Sequence, residues 1–326
     1  MVKLYTEDVK PFAEEYAGKI NYARIKTNLE ALLKTVRGST DHEDYVTRLK
    51  GIINEEFITA TPSKLKDICS GFIPADMSKR FNKKQFYKLV VDAMEYDKAR
   101  SLYRSYVPQM GIKTCVYCNA QYAVTFTRKN RVEYAQFEID HWMSKNMYPC
   151  LSVSFYNFVP SCSSCNKHKG TDLLLYSMYS EIPKLIAPDG NNPFVFSIPD
   201  SNLCMYLNHF NSDLLKIEFK SRASDTQAEK DYARFAINEM YNLFKDEAGL
   251  TIKRYLFFSD AYRKQMKMNY GAAFTNSIGY DEFIYGVPLN SKDAYKRPLG
   301  KMVQDIRAQL EISTIYFSWI KKKGYL

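Results

Sequence analysis

Two Cys-x-x-Cys pairs, Cys115-Val-Tyr-Cys118 and Cys162-Ser-Ser-Cys165, constrain this 326-residue chain more than any other feature. A two-residue spacer lets both thiolates of a pair reach one ion at about 2.3 Å, and two such pairs complete a tetrahedral site. Four sulfur ligands leave no open position, so the spacing predicts a structural zinc rather than a catalytic one. Redox dithiols or unrelated buried cysteines are the competing readings. The chain holds seven cysteines, an odd number, and in a cytosolic setting pairs of this spacing favour metal over disulfides. That setting is itself an expectation. The opening residues, Met1 to Asp8, place acids where the apolar core of a leader would lie. No uncharged apolar stretch approaches the roughly 20 residues needed to span a bilayer, so a cytoplasmic protein without a membrane partner is expected. Cys69, Cys150 and Cys204 read as buried small hydrophobes.

The residues between the pairs carry the chemistry. Phe137-Glu-Ile-Asp140-His141 ends a predicted strand, Asn157 follows, and Asn166 comes directly after the last cysteine in Cys165-Asn-Lys-His-Lys-Gly170. A neutral imidazole can take a proton from water near pH 7, since its ordinary pKa is about 6.5. A hard cation on oxygen ligands stabilises charge developing on a phosphodiester, and Mg²⁺ accepts few protein ligands plus several waters. Neighbouring residues on a strand point to opposite faces, so joint action of Asp140 and His141 requires a bulge or twist there. Glu138 shares the face of Asp140 and is placed to assist a metal. Lys169, one turn past Asn166, is a candidate for phosphate contact or an ordinary solvated lysine. His168, Lys145 and the Arg128-Lys129 turn are further candidates for nucleic-acid contact. His42 and His209 have no metal-like neighbours in sequence.

The order Cys-x-x-Cys, Asp-His, Asn, Cys-x-x-Cys-Asn-x-x-Lys resembles the HNH, or ββα-metal, nuclease family in its zinc-knuckle form. The resemblance runs from Cys115 to Lys169, about a sixth of the chain. It implies that Asp140 and Asn166 bind one divalent ion, Mg²⁺ or Mn²⁺, and that His141 is the general base. It further implies that Asn157 braces the loop and orients the histidine, and that Cys115, Cys118, Cys162 and Cys165 hold zinc. More loosely, the chain resembles longer bacterial HNH proteins of anti-phage defence, among them the nuclease subunit of Septu-type systems, which works with an ATPase partner. The segments behind this second resemblance are Phe235-Ala-Ile-Asn-Glu-Met-Tyr-Asn-Leu-Phe244 and Lys296-Arg-Pro-Leu299. No Gly-x-x-x-x-Gly-Lys-[Ser/Thr] loop is present, so an ATPase would be a separate chain.

Periodicity predicts an α+β, mainly helical fold, and the resemblance implies a small ββα-metal core with the four-cysteine zinc site, set between the helical regions. The expected divisions are an N-terminal helical region over 1–110, the nuclease core over 111–180, and a mostly helical region over 181–326 with a few short strands. Within the first region, Ile25, Leu29, Leu32, Leu33 and Val36 mark one helix, with Gly38 as its C-cap. Tyr45, Leu49, Ile52 and Ile53 mark a second, and Lys83 to Tyr106 a third. Tyr122–Thr127 and Val132–Ile139 read as two strands around a polar turn, and 182–193 as an exposed connection. Short strands are expected at 194–198 and 214–219. Tyr232 to Phe244, Ile252 to Met268 and Leu299 to Phe317 then each read as one helix.

A net charge of +10 attracts polyanions, although charge alone serves solubility equally well. Aromatics reach 15%, which suits a core and also a surface that stacks bases. Together these features point to a metal-dependent nuclease acting on DNA, with RNA open because such a site reads phosphate and metal rather than bases. A zinc-stapled nucleic-acid-binding or adaptor protein with an inactive site is the alternative from another class. A restriction-type, sequence-specific enzyme is the third.

Overall fold

Helical spacing dominates the computed structural model as it does the sequence, and the fold is α+β, mainly helical. It describes residues 2–72, 83–127, 133–181, 192–222, 226–274 and 279–323. The Arg128-Lys129 turn and most of the 182–193 connection lie outside these. The chain forms two compact units, one from residues 3–112 and 123–183, the other from 1–2, 113–122 and 184–326. Among the described residues no helix is long and apolar enough to cross a membrane.

The first unit begins with β1 (Leu4–Tyr5), followed by α1 (Thr6–Gly18), α2 (Tyr22–Val36), α3 (Thr40–Ile52), α4 (Glu55–Ile58) and α5 (Pro62–Ser70). Asn21 caps α2 by accepting from the Arg24 amide, and Gly38 leaves it at φ 86°, the left-handed turn glycine makes cheaply. The expected third helix is two, α6 (Lys83–Ala93) and α7 (Tyr96–Tyr106). Glu95 divides them at φ 57°, held by ion pairs to Arg24 and Lys98. Next come β2 (Thr125–Thr127), β3 (Glu133–Ala135), β4 (Glu138–His141), β5 (Phe158–Ser161), α8 (Ser163–Lys169) and β6 (Tyr179–Ser180). The expected strand over 132–139 is therefore two: β3 pairs with β2, and β4 pairs with β5. One apolar pattern served two separate ladders. The core here is aromatic. Tyr16 packs on Phe155 and Tyr103 on Phe158, while the Tyr16 hydroxyl donates to the Val153 carbonyl. Many tyrosines are thus interior groups whose hydroxyls reach backbone.

In the second unit, β7 (Phe194–Ser197) and α9 (Asp200–His209) precede β8 (Glu218–Ser221), which pairs antiparallel with β7. The expected second strand begins later than predicted because Ser212–Leu214 turns as a short 3₁₀ helix. Helices α10 (Thr226–Ala233), α11 (Ile237–Tyr241), α12 (Lys245–Phe257), α13 (Asp260–Tyr270), α14 (Tyr280–Tyr285), α15 (Gly300–Ile312) and α16 (Thr314–Lys322) complete it. Each of the three long helices expected here is broken: at Ala236 (φ 47°), at Phe258-Ser259, and at Ser313. A break resets the helical phase, so Leu243 and Phe317, apolar residues near the ends of two of the expected helices, face solvent. Ile52 does too, because α3 ends there and Ile53 turns inward instead. Cys204 is exposed on α9, unlike Cys69 and Cys150, because its side of that helix meets solvent.

Helices finish both edges of the β7–β8 ribbon with side chains. Asp305 of α15 accepts the Phe196 amide and Gln309 bonds both backbone groups of Ile198. On the other edge, Asn242 pairs with both backbone groups of Ile217 and Asn238 with both of Phe219. The first cysteine pair is seated in this unit by a late segment. Asn119, at φ 55°, donates from its amide to the carbonyls of Ala294 and Arg297 and accepts the Lys301 amide. Its own carbonyl accepts the Leu299 amide, and Thr114 donates to the Tyr295 carbonyl. The Lys296-Arg-Pro-Leu stretch belongs to that cradle.

Candidate metal and active site

The ribbon β4–β5 places the central residues in a one-to-one register: Glu138 opposite Ser161, Asp140 opposite Val159, His141 opposite Phe158. The bulge expected to re-aim Asp140 or His141 is not there, because every residue of β4 has its own partner on β5. Alternation therefore sends Glu138 and Asp140 to one face and His141 to the other. Helix α8 covers the first face. Asn166 donates from its side-chain amide to Glu138. Lys169, 1% exposed, sits 3.4 Å from the Asp140 carboxylate and donates to the His141 carbonyl at 2.7 Å. It is neither a solvated lysine nor a freely presented one. Gly170, at φ 58°, ends the helix just beyond.

On the second face, the His141 ring packs against Phe158 and against Tyr96 of α7. Its Nε2 lies 3.0 Å from the Ser152 carbonyl. A carbonyl only accepts, so Nε2 carries the proton and Nδ1 carries the lone pair. Burial, with help from Lys145, Lys169 and Arg100, pushes the imidazole pKa down to about 3, although the Ser152 bond opposes this. The ring is neutral. Asp140 and His141 thus leave opposite faces of the ribbon yet feel the same two cations, Lys145 and Lys169.

Asn157 closes the loop that returns Ser152 to the histidine. Its Oδ1 accepts the Met143 amide at 2.8 Å, and its amide donates to the carbonyls of Met143 and Leu151, both at 3.0 Å. The side chain is fully buried. The Trp142 amide bonds the Asn157 carbonyl, completing the brace. Outside this centre, His168 is exposed on α8 and Lys145 is partly buried over the Tyr96 ring. His42 is enclosed against Phe86 and His209 ends α9, both apart from any metal-ligating group. Ser152, Tyr96 and Arg100 were not among the sequence-predicted residues. Ser152 acts through its backbone, and the other two are distant in sequence.

The ligating sulfurs of Cys115, Cys118, Cys162 and Cys165 all lie within 4.8 Å of one another, and all four residues are buried. Sulfurs around a tetrahedral zinc at 2.3 Å stand about 3.8 Å apart, so the cluster fits a zinc-sized ion. The Cys162 sulfur accepts the Cys165 amide at the start of α8. Among the described residues, no other group of three or more His, Cys, Asp or Glu side chains gathers this way. The oxygens of Asp140 and Asn166 are hard donors. They suit Mg²⁺ or Mn²⁺, which is content with few protein ligands.

No protein-family model matches the chain, and no solved structure matches it. The chain is similar to the Septu protein PtuB of Bacillus thuringiensis, at 35% identity over 63 residues. Those residues make up 19% of this chain and 21% of that protein, so the match spans about a fifth of the relative. The likeness is local, and it links the chain to a Septu protein.

Proposed function

We propose that the chain is a metal-dependent HNH endonuclease that hydrolyses nucleic-acid phosphodiesters, DNA before RNA. The observation that carries this reading is the neutral His141, its Nε2 committed to the Ser152 carbonyl, one residue from Asp140. With Nε2 occupied as donor, Nδ1 is the atom that takes a proton from attacking water. Asn157 fixes the loop bearing the Ser152 carbonyl and so fixes the orientation of the ring. Asp140 and Asn166 would hold a divalent ion, and such an ion stabilises charge on the phosphate and the departing oxygen. Lys169 pins Asp140 from beneath. Zinc on the four cysteines would have a separate, structural task. The local similarity to a Septu protein supports a role in anti-phage defence, and the reading adds that the chain works there beside a separate ATPase chain.

The test is cleavage of plasmid DNA and of tRNA with Mg²⁺ or Mn²⁺, by wild type and His141→Ala. Loss of a general base costs about 10²- to 10⁴-fold in rate, so the variant should be inactive while folding and binding zinc normally. Identical behaviour of the two proteins, also with an ATPase partner present, would defeat the proposal. A second reading, nucleic-acid binding without cleavage, draws on Lys169: its ammonium already neutralises the carboxylate that a catalytic ion would use. That reading requires binding to nucleic acid with no cleavage under any metal.

A further inference from the structure

Helix α7 lies outside the motif, yet its first turn borders His141. The Tyr96 ring, 8% exposed, stands 5.4 Å from the imidazole, centroid to centroid. Two cations share that ring. The Lys145 ammonium is 4.8 Å from its centroid, and the guanidinium carbon of Arg100, one turn along α7, is 5.4 Å away. Lys145 is held where burial and Arg100 both work against its charge, outweighing the support of Asp140 and Asp97. Arg100 has a weak counter-ion: Asp97 is 3.3 Å away, but its side chain is 86% exposed and its charge is screened by water. Contact with an aromatic face offsets only part of the cost of gathering like charges. An anion would offset the rest, and a guanidinium beside an ammonium suits a phosphate.

We propose that Tyr96, Arg100 and Lys145 form a phosphate-binding subsite next to His141, which grips the backbone of the nucleic-acid substrate. The proposal rests on the nuclease reading and adds that the N-terminal helices supply a wall of the substrate path. Tyr96 is the platform, and the two cations are the substrate-binding groups.

Full-length His141→Ala protein, titrated with a short fluorescent DNA duplex between about 50 and 200 mM KCl, tests it. Each phosphate contact contributes about 0.9 to the slope of log affinity against log salt. Arg100→Gln and Lys145→Gln should each flatten the slope by about that amount, and Lys145→Arg should restore it. Lys10→Gln, at an exposed position on α1, should leave it unchanged. Inorganic phosphate at constant ionic strength should displace duplex from the parent more readily than from either Gln variant. Competition with no change in duplex slope would mean a site for free phosphate and would overturn the substrate assignment. Parental slopes in both Gln variants, with zinc content and circular dichroism intact and wild type still cutting, would overturn the subsite alone. A wild type that neither binds nor cuts nucleic acid would remove the nuclease reading, and the subsite with it.

Discussion

Asn157 makes three hydrogen bonds from one buried side chain, and all three go to backbone. Asn157→Ala would strand the Met143 amide and carbonyl away from water, at about 1–3 kcal/mol for each group left unpaired, while the Leu151 carbonyl keeps the Ser154 amide. We expect a loss of at least about 2 kcal/mol, read as a lower urea midpoint, together with reduced cleavage because the loop bearing the Ser152 carbonyl is less firmly held. Asn157→Asp keeps one acceptor, loses both donations and adds a buried charge, so it should be no better. At this scale the sequence was informative where a side chain does the work. The order of cysteines, Asp140-His141, Asn157 and Asn166 drew attention to a region whose cysteines do gather. It was silent on Ser152, whose contribution is a backbone carbonyl that any residue carries. It was equally silent on Tyr96 and Arg100, which look like ordinary helix residues until the fold brings them beside His141.

At the scale of elements, the apolar stripes identified helices and misjudged their ends. Lys83–Tyr106 and Tyr232–Phe244 both carry an unbroken helical pattern, yet Glu95 and Ala236 adopt left-handed backbone between two helices in each case. Nothing in either residue type announces that conformation, since glycine is its usual carrier. Tertiary packing imposed it. The segment 235–244 has another role that periodicity could not show, because Asn238 and Asn242, one turn apart, occupy the open edge of β8. A short exposed edge invites pairing with another chain. Asn238→Ala combined with Asn242→Ala should therefore raise self-association, seen as larger species in analytical ultracentrifugation. It should also lower stability by about 1 kcal/mol per lost bond. Unchanged sedimentation at high concentration would show that the two asparagines do not guard the edge.

For the whole molecule, the four sulfurs are the strongest single constraint, and the metal they imply is a term in folding. Structural zinc contributes about 10–16 kcal/mol of apparent binding free energy in small domains. One zinc per chain is expected by metal analysis, and Cys115→Ser or Cys162→Ser should abolish retention and expose the core to proteolysis. Full metal-free stability would contradict this. Net charge and aromatic content were poor guides at this scale. The tyrosines of the first unit's core are interior, and a charge of +10 names no particular face. The seat of the first cysteine pair has a consequence in time. Asn119 is completed by the amide of Lys301, 182 residues later. A ribosome adding roughly 5–20 residues per second needs about 10–35 seconds to cover that distance. Throughout that interval the nascent chain carries Cys115 and Cys118 without their frame, so the first half of the sulfur cluster waits on a segment made long after it.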